Sequence, residues 1–95
     1  MARYIKQAHA VDGNGKAIDA ATVTVKLAGT STVAVIYAAK TGGSAITGGI
    51  VTSDSGGYYK FYADTVDYAA TQLFDIVVSK DGFVSRTYPD VHIVE

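Results

Sequence analysis

The sequence predicts an all-β fold, a single small antiparallel β-sandwich of about seven strands, and three observations support this. Val, Thr, Ile, Tyr and Phe make up 39 of the 95 residues, whereas Leu occurs twice and Glu once. β-branched and aromatic side chains favour strands, and the residues that stabilise helices are scarce. Apolar and polar residues alternate in several short segments, which Gly, Asp, Asn and Ser clusters separate at intervals of roughly ten residues.

The chain has the length of one domain, residues 1–95, and its composition excludes several kinds of site. It contains no cysteine, so disulfides, thiolate metal sites and cysteine nucleophiles are excluded. Eight basic and nine acidic residues are scattered singly, which argues against nucleic acid as a partner. A domain of this size that is rich in alanine and has no disulfide is only modestly stable alone, so we expect a homo-oligomer.

No segment predicts export or membrane insertion. The N-terminus lacks the apolar run of a signal peptide. The longest interior apolar stretch, Val33–Ala39, is far shorter than the roughly 18 to 20 residues that a membrane span requires. We therefore expect synthesis in the cytoplasm and no membrane partner.

The first half of the chain predicts three strands. Alternation over Tyr4–Val11 predicts a first strand, so residues 1–10 are either that strand or an N-terminal arm. The turn residues Asp12–Gly15 follow, and Thr22–Leu27 then shows the cleanest alternation, with its valines and leucine facing inward. A third strand is predicted over Thr32–Ala38. Both of its faces are apolar, which predicts burial on two sides or an interface.

The second half predicts short strands separated by loops. Pro89 lacks a backbone donor and therefore belongs at an edge, a bend or a bulge, so residues 89–95 are predicted to be a C-terminal edge segment. Lys40–Gly49 is predicted to be a long loop or a loosely paired edge, and Tyr58–Tyr62 an aromatic strand with Tyr59 and Phe61 on one face and tyrosine hydroxyls near water on the other. Within a loop at Ala63–Gln72, Val66–Thr71 is the only stretch that could form a helical turn. The other predicted elements are a short strand at Ile50–Thr52, a turn at Asp54–Gly57, a strand at Leu73–Ser79, a tight hairpin turn at Lys80–Gly82 and a last strand at Phe83–Val94.

Four segments together resemble a known β-sandwich pattern. Val11–Ile18, Ala20–Val25, Val51–Phe61 and Phe74–Phe83 are similar to the carboxypeptidase regulatory-like, transthyretin-like domain. Within that frame, Gly29–Tyr37 is similar to segments of tailed-bacteriophage virion proteins, including tail fibres and other tail or head appendages. The resemblance implies a transthyretin-like or immunoglobulin-like sandwich.

The resemblance spans roughly Val11 to Val84, and the chain departs from the pattern at two places. The Ala63–Gln72 segment is longer than the usual turn before the penultimate strand, whose aromatic residue is here Phe74. Gly48–Gly49 stands where the phage segments have Asn-Pro. The long loops therefore have no role that the family pattern supplies.

The resemblance implies a non-enzymatic structural protein of a phage virion, as a head decoration, neck or tail component. Its partners would be copies of itself and other virion proteins of the capsid, neck or tail, and its location would be the virion. The alternative is a glycan-binding or adhesion β-sandwich module, in which tyrosine rings stack on a host surface glycan.

Candidate catalytic and metal-ligating residues all have simpler interpretations. Asp12 and Asn14 begin a calcium-like spacing, but Lys16 stands where an oxygen ligand is needed, so turn chemistry explains them better. His9 and His92 could meet only if the terminal strands are neighbours, and no motif places a carboxylate beside them. The spacing of Asp64, Asp67 and Asp75 predicts no carboxylate pair, and no nucleophile motif is present. We expect no catalytic residue, no metal and no cofactor.

The interface is predicted from tyrosines and from the two terminal segments. Tyrosine rings supply rigid contacts to protein partners, although core packing and sugar stacking remain open for them. The terminal segments are expected to reach neighbouring subunits through strand pairing. The candidate interface residues are Tyr4, Ile5, Tyr37, Tyr58, Tyr62, Tyr68, Tyr88, Val91 and Ile93.

Overall fold

The computed structural model describes residues 3–12, 14–69 and 71–93, and within them the fold is all-β. Every strand pairing is antiparallel, which confirms the predicted fold class. The described residues form six strands rather than about seven. They are β1 at Arg3–His9, β2 at Thr22–Leu27, β3 at Ile50–Thr52, β4 at Tyr58–Asp64, β5 at Leu73–Ser79 and β6 at Arg86–His92.

The strands form two sheets, with the orders β1-β4 and β3-β2-β5-β6. Their inner faces contribute to one hydrophobic core, in a sandwich-like arrangement. The predicted alternation is confirmed in β2, β4 and β5, because each of these strands buries alternate side chains. The largest fully buried side chains are Phe61, Phe74, Ile36, Ile76, Val23 and Val25.

The predicted strand at Thr32–Ala38 is wrong, and this accounts for the missing element. The segment makes only isolated bridges: Val33 pairs with Lys26 of β2, and Tyr37 pairs with Tyr62 of β4. The segment therefore passes from one sheet to the other, so neither β2 nor β4 pairs with it along its whole length. Ile36 between the two bridges is fully buried. The segment closes the sandwich on the side where β2 and β4 lie.

Burial along this segment is one-sided, so the first of its two predicted alternatives, burial on both faces, is wrong, and an interface stays a prediction. Ala34 and Ile36 are buried, whereas Val33 and Val35 are exposed. The Lys40–Gly49 loop follows as predicted, and Ile46 donates its N–H to the carbonyl of Ile36 at 2.8 Å. The loop folds back along Thr32–Ala38, which we call the crossing segment.

The helical turn lies elsewhere than predicted. A 3₁₀ helix spans Thr47–Gly49, whereas the described part of Val66–Thr71 forms turns; Ala70 of that stretch is outside the described residues. Gly49 has a φ of +63°, and a Cβ there would lie 2.9 Å from the carbonyl oxygen of Ala34. Close packing against the crossing segment therefore favours glycine at this position.

β6 is the edge strand of the four-stranded sheet, as Pro89 predicted, but it is shorter than Phe83–Val94. Val94 lies outside the described residues. Phe74 pairs with Val91 and Ile76 with Tyr88, so two residues of β6 stand opposite Asp75 alone. This is a β-bulge, and its second residue, Asp90, has a φ of +56°.

The two predicted turns that begin at Asp12 and Asp54 are present, and they share one hydrogen-bonding pattern. In each, the Asp Oδ1 accepts the N–H groups two and four residues later, at 2.8 and 3.0 Å for Asp12 and at 2.9 and 2.9 Å for Asp54. The fourth residue is Gly15 in one turn and Gly57 in the other, with φ of +79° and +78°. These are three-residue hairpin loops in which glycine takes the left-handed conformation.

Candidate functional site

The outer face of the β1-β4 sheet points away from the core and carries four of the predicted interface residues. In β4, Tyr59 and Phe61 are buried, so the alternate residues Tyr58 and Tyr62 lie on the opposite face. Ile5 of β1 pairs with Tyr62 and is 43% exposed. We call the surface formed by Ile5, Gln7, His9, Tyr37, Tyr58, Lys60 and Tyr62 the outer face.

Two tyrosine hydroxyls near this face already have partners. Tyr58 donates its O–H to Oε1 of Gln7 at 2.8 Å, and its ring lies 5.5 Å from that of His9. Tyr37 donates its O–H to Oδ2 of Asp67 at 3.0 Å. The rings are therefore held in place, and both hydroxyl protons are used within the chain.

Arg3 connects the outer face to the Ala39–Gly42 stretch. Its Nε lies 3.0 Å from Oδ2 of Asp64, and Nη1 donates to the carbonyls of Ala39 and Gly42 at 3.0 and 2.6 Å. The guanidinium carbon lies 3.7 Å from the centroid of the Tyr37 ring, in a cation–π contact. One side chain thus fixes β1, β4 and the start of the Lys40–Gly49 loop relative to one another.

The electrostatics of this cluster follow from its hydrogen bonds. The Val66 N–H donates to Asp64 and, with Arg3, holds the pKa of that carboxyl below its usual value of 3.8. The bond from Tyr37 to the Asp67 carboxylate stabilises the neutral phenol, which raises the pKa of Tyr37 above 10.0. The charges of Arg3 and Asp64 are therefore paired with each other within the fold.

Sequence reasoning missed Arg3, although it did consider Asp64 and Asp67. Arg3 precedes the predicted first strand, and nothing near it indicates a partner 61 residues away. Only the register of β1 with β4 places Arg3 directly opposite Asp64.

β1 has no described hydrogen-bonding partner strand on its second edge. Tyr62 directs both its N–H and its carbonyl to Tyr37, at 2.8 and 2.9 Å, so its pairing with Ile5 is a non-hydrogen-bonded one. Hydrogen-bonded and non-hydrogen-bonded pairs alternate along an antiparallel ladder. The backbone groups of Ile5 and Gln7 therefore point away from β4, toward the unpaired edge.

An apolar cleft of about 280 Å³ opens between β1 and β6, on the side opposite the crossing segment. The two strands belong to different sheets and do not pair, so this side of the sandwich is open, and the terminal strands carrying His9 and His92 are not ladder neighbours. The cleft is lined by Lys6, Ala8, His9, Tyr59, Ile76, Tyr88 and Val91.

The nine predicted interface residues separate into three groups. Ile5, Tyr37, Tyr58 and Tyr62 belong to the outer face, and Tyr88 and Val91 line the cleft. The remaining three residues are directed at the core: Tyr4 packs against it, Tyr68 places its ring edge-on to Phe74 at 5.2 Å and accepts the Val35 N–H, and Ile93 is only 4% exposed. Alternation alone did not distinguish these groups.

The other polar residues considered from the sequence have structural partners. Asp12 caps its turn, and the N–H groups of Lys16 and Asn14 lower the pKa of its carboxyl. Asp75 accepts the N–H groups of Gly29 and Asp90, at 3.1 and 3.2 Å. Within residues 3–12, 14–69 and 71–93, no three His, Asp or Glu side chains are grouped as a metal site would require.

A larger depression of about 490 Å³ lies beside the β5-β6 connection. Its ionisable lining residues are Lys80 and Asp81, both in the turn. None of the helices in the described part of the chain has the length and apolar character to span a bilayer. Comparison of the chain with protein-family models, with curated proteins and with solved structures found no match.

Proposed function

We propose that this chain is a non-enzymatic structural protein of a tailed-bacteriophage virion, a head decoration, neck or tail component that acts through protein-protein contacts. The observation that carries the proposal is the unpaired edge of β1, bordered by the outer face and by the apolar cleft. An unpaired edge offers backbone donors and acceptors to a second strand. The phage context comes from the sequence resemblance of Gly29–Tyr37.

The chemistry of the outer face supports protein partners. Tyrosine is enriched in the cores of protein interfaces, where a ring buries apolar area at low entropic cost. The hydroxyl protons of Tyr37 and Tyr58 are already donated to Asp67 and Gln7, so the rings and Ile5 offer mainly apolar contacts. A virion component needs such contacts with its own copies and with other virion proteins.

A glycan-binding or adhesion module is the second candidate, and the position of Lys60 favours it. Lys60 lies between Tyr58 and Tyr62 on the same face of β4, so an exposed donor is placed between two rings. Sugar binding combines ring stacking with such polar groups. In that case the outer face would bind a host surface glycan without needing a second copy.

Peptide mass spectrometry of purified virions, from a lysate in which the chain is produced, tests the proposal. The chain should be present in stoichiometric amounts relative to a known particle protein and should resist a high-salt wash. Its presence in the lysate but not in the particles would overturn the proposal. A glycan array is probed in parallel with the wild type and with Tyr62→Ala. We expect no glycan that binds the wild type and not the variant; such a glycan would support the adhesion function instead.

A further inference from the structure

We propose that β1 pairs antiparallel with β1 of a second copy, about a two-fold axis at Ile5, so that the two β1-β4 sheets form one four-stranded sheet. This inference rests on the proposed assembly function and specifies its partner and contact. It is argued from the state of each sheet edge, from the direction of the β1 backbone and from the charges along the strand.

The other sheet edges are each protected against strand addition. β6 carries Pro89 and the bulge at Asp90, and both features prevent regular pairing. β3 has only three residues. The second edge of β4 is occupied at Tyr62 by the bridge to Tyr37. β1 has seven residues, and its described residues include no proline and no bulge.

The Arg3 side chain leaves the β1 edge accessible. Arg3 carries the largest charged side chain of the strand, and it reaches across β4 to contact Tyr37, Ala39 and Gly42, which lie beyond the far edge of that strand. It therefore does not cover the unpaired edge. Native edges are commonly protected by charges placed over them, and the Arg3 charge is directed elsewhere.

The direction of the backbone limits the possible registers. Arg3, Ile5, Gln7 and His9 point their backbone groups outward, so in a two-fold antiparallel pair these residues must face one another. Among the axes that meet this condition, those at Ile5, Lys6 and Gln7 pair five or more residues of each strand, and the others pair three or fewer.

Charge and apolar contact select among the three axes. An axis at Lys6 places two lysines directly opposite each other, which is destabilising. An axis at Gln7 pairs Ile5 with His9 of the second copy and brings two glutamines together. An axis at Ile5 pairs Ile5 with its own copy, Lys6 with Tyr4 and Arg3 with Gln7, so no like charges stand opposite each other. It is the register that the strand's sequence favours.

The same register joins the two outer faces. Ile5 already stands opposite Tyr62 within each copy. With the axis at Ile5, the side chains across the four strands read Tyr62, Ile5, Ile5 and Tyr62, a continuous apolar row. Cross-strand pairs of aromatic and β-branched residues stabilise sheets. The exposed isoleucine, 43% accessible in the single chain, loses much of that exposure.

Cysteine cross-linking tests the register, because the chain contains no cysteine of its own. An Ile5→Cys variant should form a disulfide-linked dimer under mild oxidation, because Cα atoms of a hydrogen-bonded pair are about 5.5 Å apart, within disulfide range. A Gln7→Cys variant should not, because its copy lies roughly 13 Å away along the strand. Dimers from Gln7→Cys, but not from Ile5→Cys, would overturn the register.

Sedimentation equilibrium tests the contact itself. Ile5→Lys should weaken the association of two copies by about tenfold or more, because it places two like charges opposite each other. Val84→Lys is the matched control: Val84 is 89% exposed and belongs to the β5-β6 connection, so this variant should leave association unchanged. Loss of association in Val84→Lys alone would place the contact at the β5-β6 connection instead. A wild-type chain that remains monomeric at millimolar concentration would also refute the proposal.

The two proposals fail separately. If the chain is found in virions but stays monomeric in solution, the pairing is refuted and the virion function stands. If β1 cross-links as expected but purified virions lack the chain, the virion function fails and the pairing stands.

Discussion

Arg3 and Asp64 form an ion pair with a 3.0 Å separation, although they are 61 positions apart in the sequence. The pair is formed across the register of β1 with β4, and its side chains are 12% and 8% exposed. Because the Arg3 guanidinium also contacts the Tyr37 ring and two loop carbonyls, the pair holds the Lys40–Gly49 loop against the two-stranded sheet.

The Asp64 carboxylate is expected to make the fold acid-sensitive. Hydrogen bonding from Val66 and the charge of Arg3 lower the folded-state pKa of Asp64 below the ordinary value of 3.8. A carboxyl with a lowered folded-state pKa contributes stability that is complete above its unfolded pKa and lost as the pH falls through the folded pKa. Urea unfolding should therefore show wild-type stability declining below about pH 3.8. Asp64→Asn should decline less steeply there and be less stable at pH 7.

The Asp12 turn provides the matching comparison for that acid profile. The N–H groups of Lys16 and Asn14 lower the pKa of Asp12 by the same mechanism, at a distant place in the fold. The effects of Asp12→Asn and Asp64→Asn on the acid slope should add, because the two sites share no partner. An Asp64→Asn profile identical to that of the wild type would show that this carboxyl does not control the acid response.

Ser53 is expected to stabilise the connection between the first turn and β2. Its Oγ accepts the Ala21 N–H at 2.8 Å and donates to the Ile18 carbonyl at 2.7 Å, in a buried position. Ser53→Ala leaves both backbone groups without this partner, at a cost of roughly 1–3 kcal/mol in unfolding free energy. The control is Ser55→Ala in the exposed turn, which should change stability by less than about 0.5 kcal/mol. Equal effects of the two variants in urea unfolding would contradict the role of the buried hydroxyl.

The elements that sequence reasoning identified correctly are those in which local pattern and fold agree. β2, β4 and β5 each bury one face, so alternation predicts both the strand and its inward side chains. The Asp12 and Asp54 turns depend on hydrogen bonds within five residues, which short-range chemistry determines. Pro89 predicted an edge because it lacks an N–H, and the edge strand is where it lies.

The rest depends on contacts that no local pattern reports. The alternating Thr32–Ala38 segment has the same composition as a strand, but its two bridging residues pair with different sheets. Whether a segment has one partner strand or two is decided by the path of the whole chain. The role of Arg3 could not be predicted from the sequence for the same reason, because its partners belong to β4 and the Ala39–Gly42 stretch. Surface and core tyrosines are equally indistinguishable, as Tyr62 and Tyr68 illustrate.

Gly57 and Gly15 allow backbone strain to be separated from close packing. Both glycines hold the same position in equivalent turns, with φ of +78° and +79°. An added Cβ at Gly15 meets nothing within 4 Å, but at Gly57 it would lie 2.6 Å from the Ala10 carbonyl oxygen. Gly15→Ala should cost about 1–2 kcal/mol from the left-handed conformation alone. Gly57→Ala should cost clearly more in urea unfolding, and equal losses would show that the approach of Ala10 to Gly57 is not restrictive.

Ala20 is expected to be a position where glycine stabilises the fold. Its φ is +56°, and its N–H donates to the Ser53 carbonyl at 3.2 Å, so the connection into β2 holds an alanine in the left-handed region. Ala20→Gly should relieve about 1–2 kcal/mol of strain. The greater freedom of glycine in the unfolded chain opposes this by roughly 0.4–1 kcal/mol. The net result should be a higher midpoint of urea unfolding.

The control for this variant is Ala45→Gly. Ala45 is also exposed and in a loop, but it does not have a positive φ, so only the unfolded-state entropy changes. That variant should lose roughly 0.4–1 kcal/mol. If Ala20→Gly loses as much as Ala45→Gly, the alanine is not strained. The Ser53 hydrogen bonds would then hold this connection at no conformational cost to the chain.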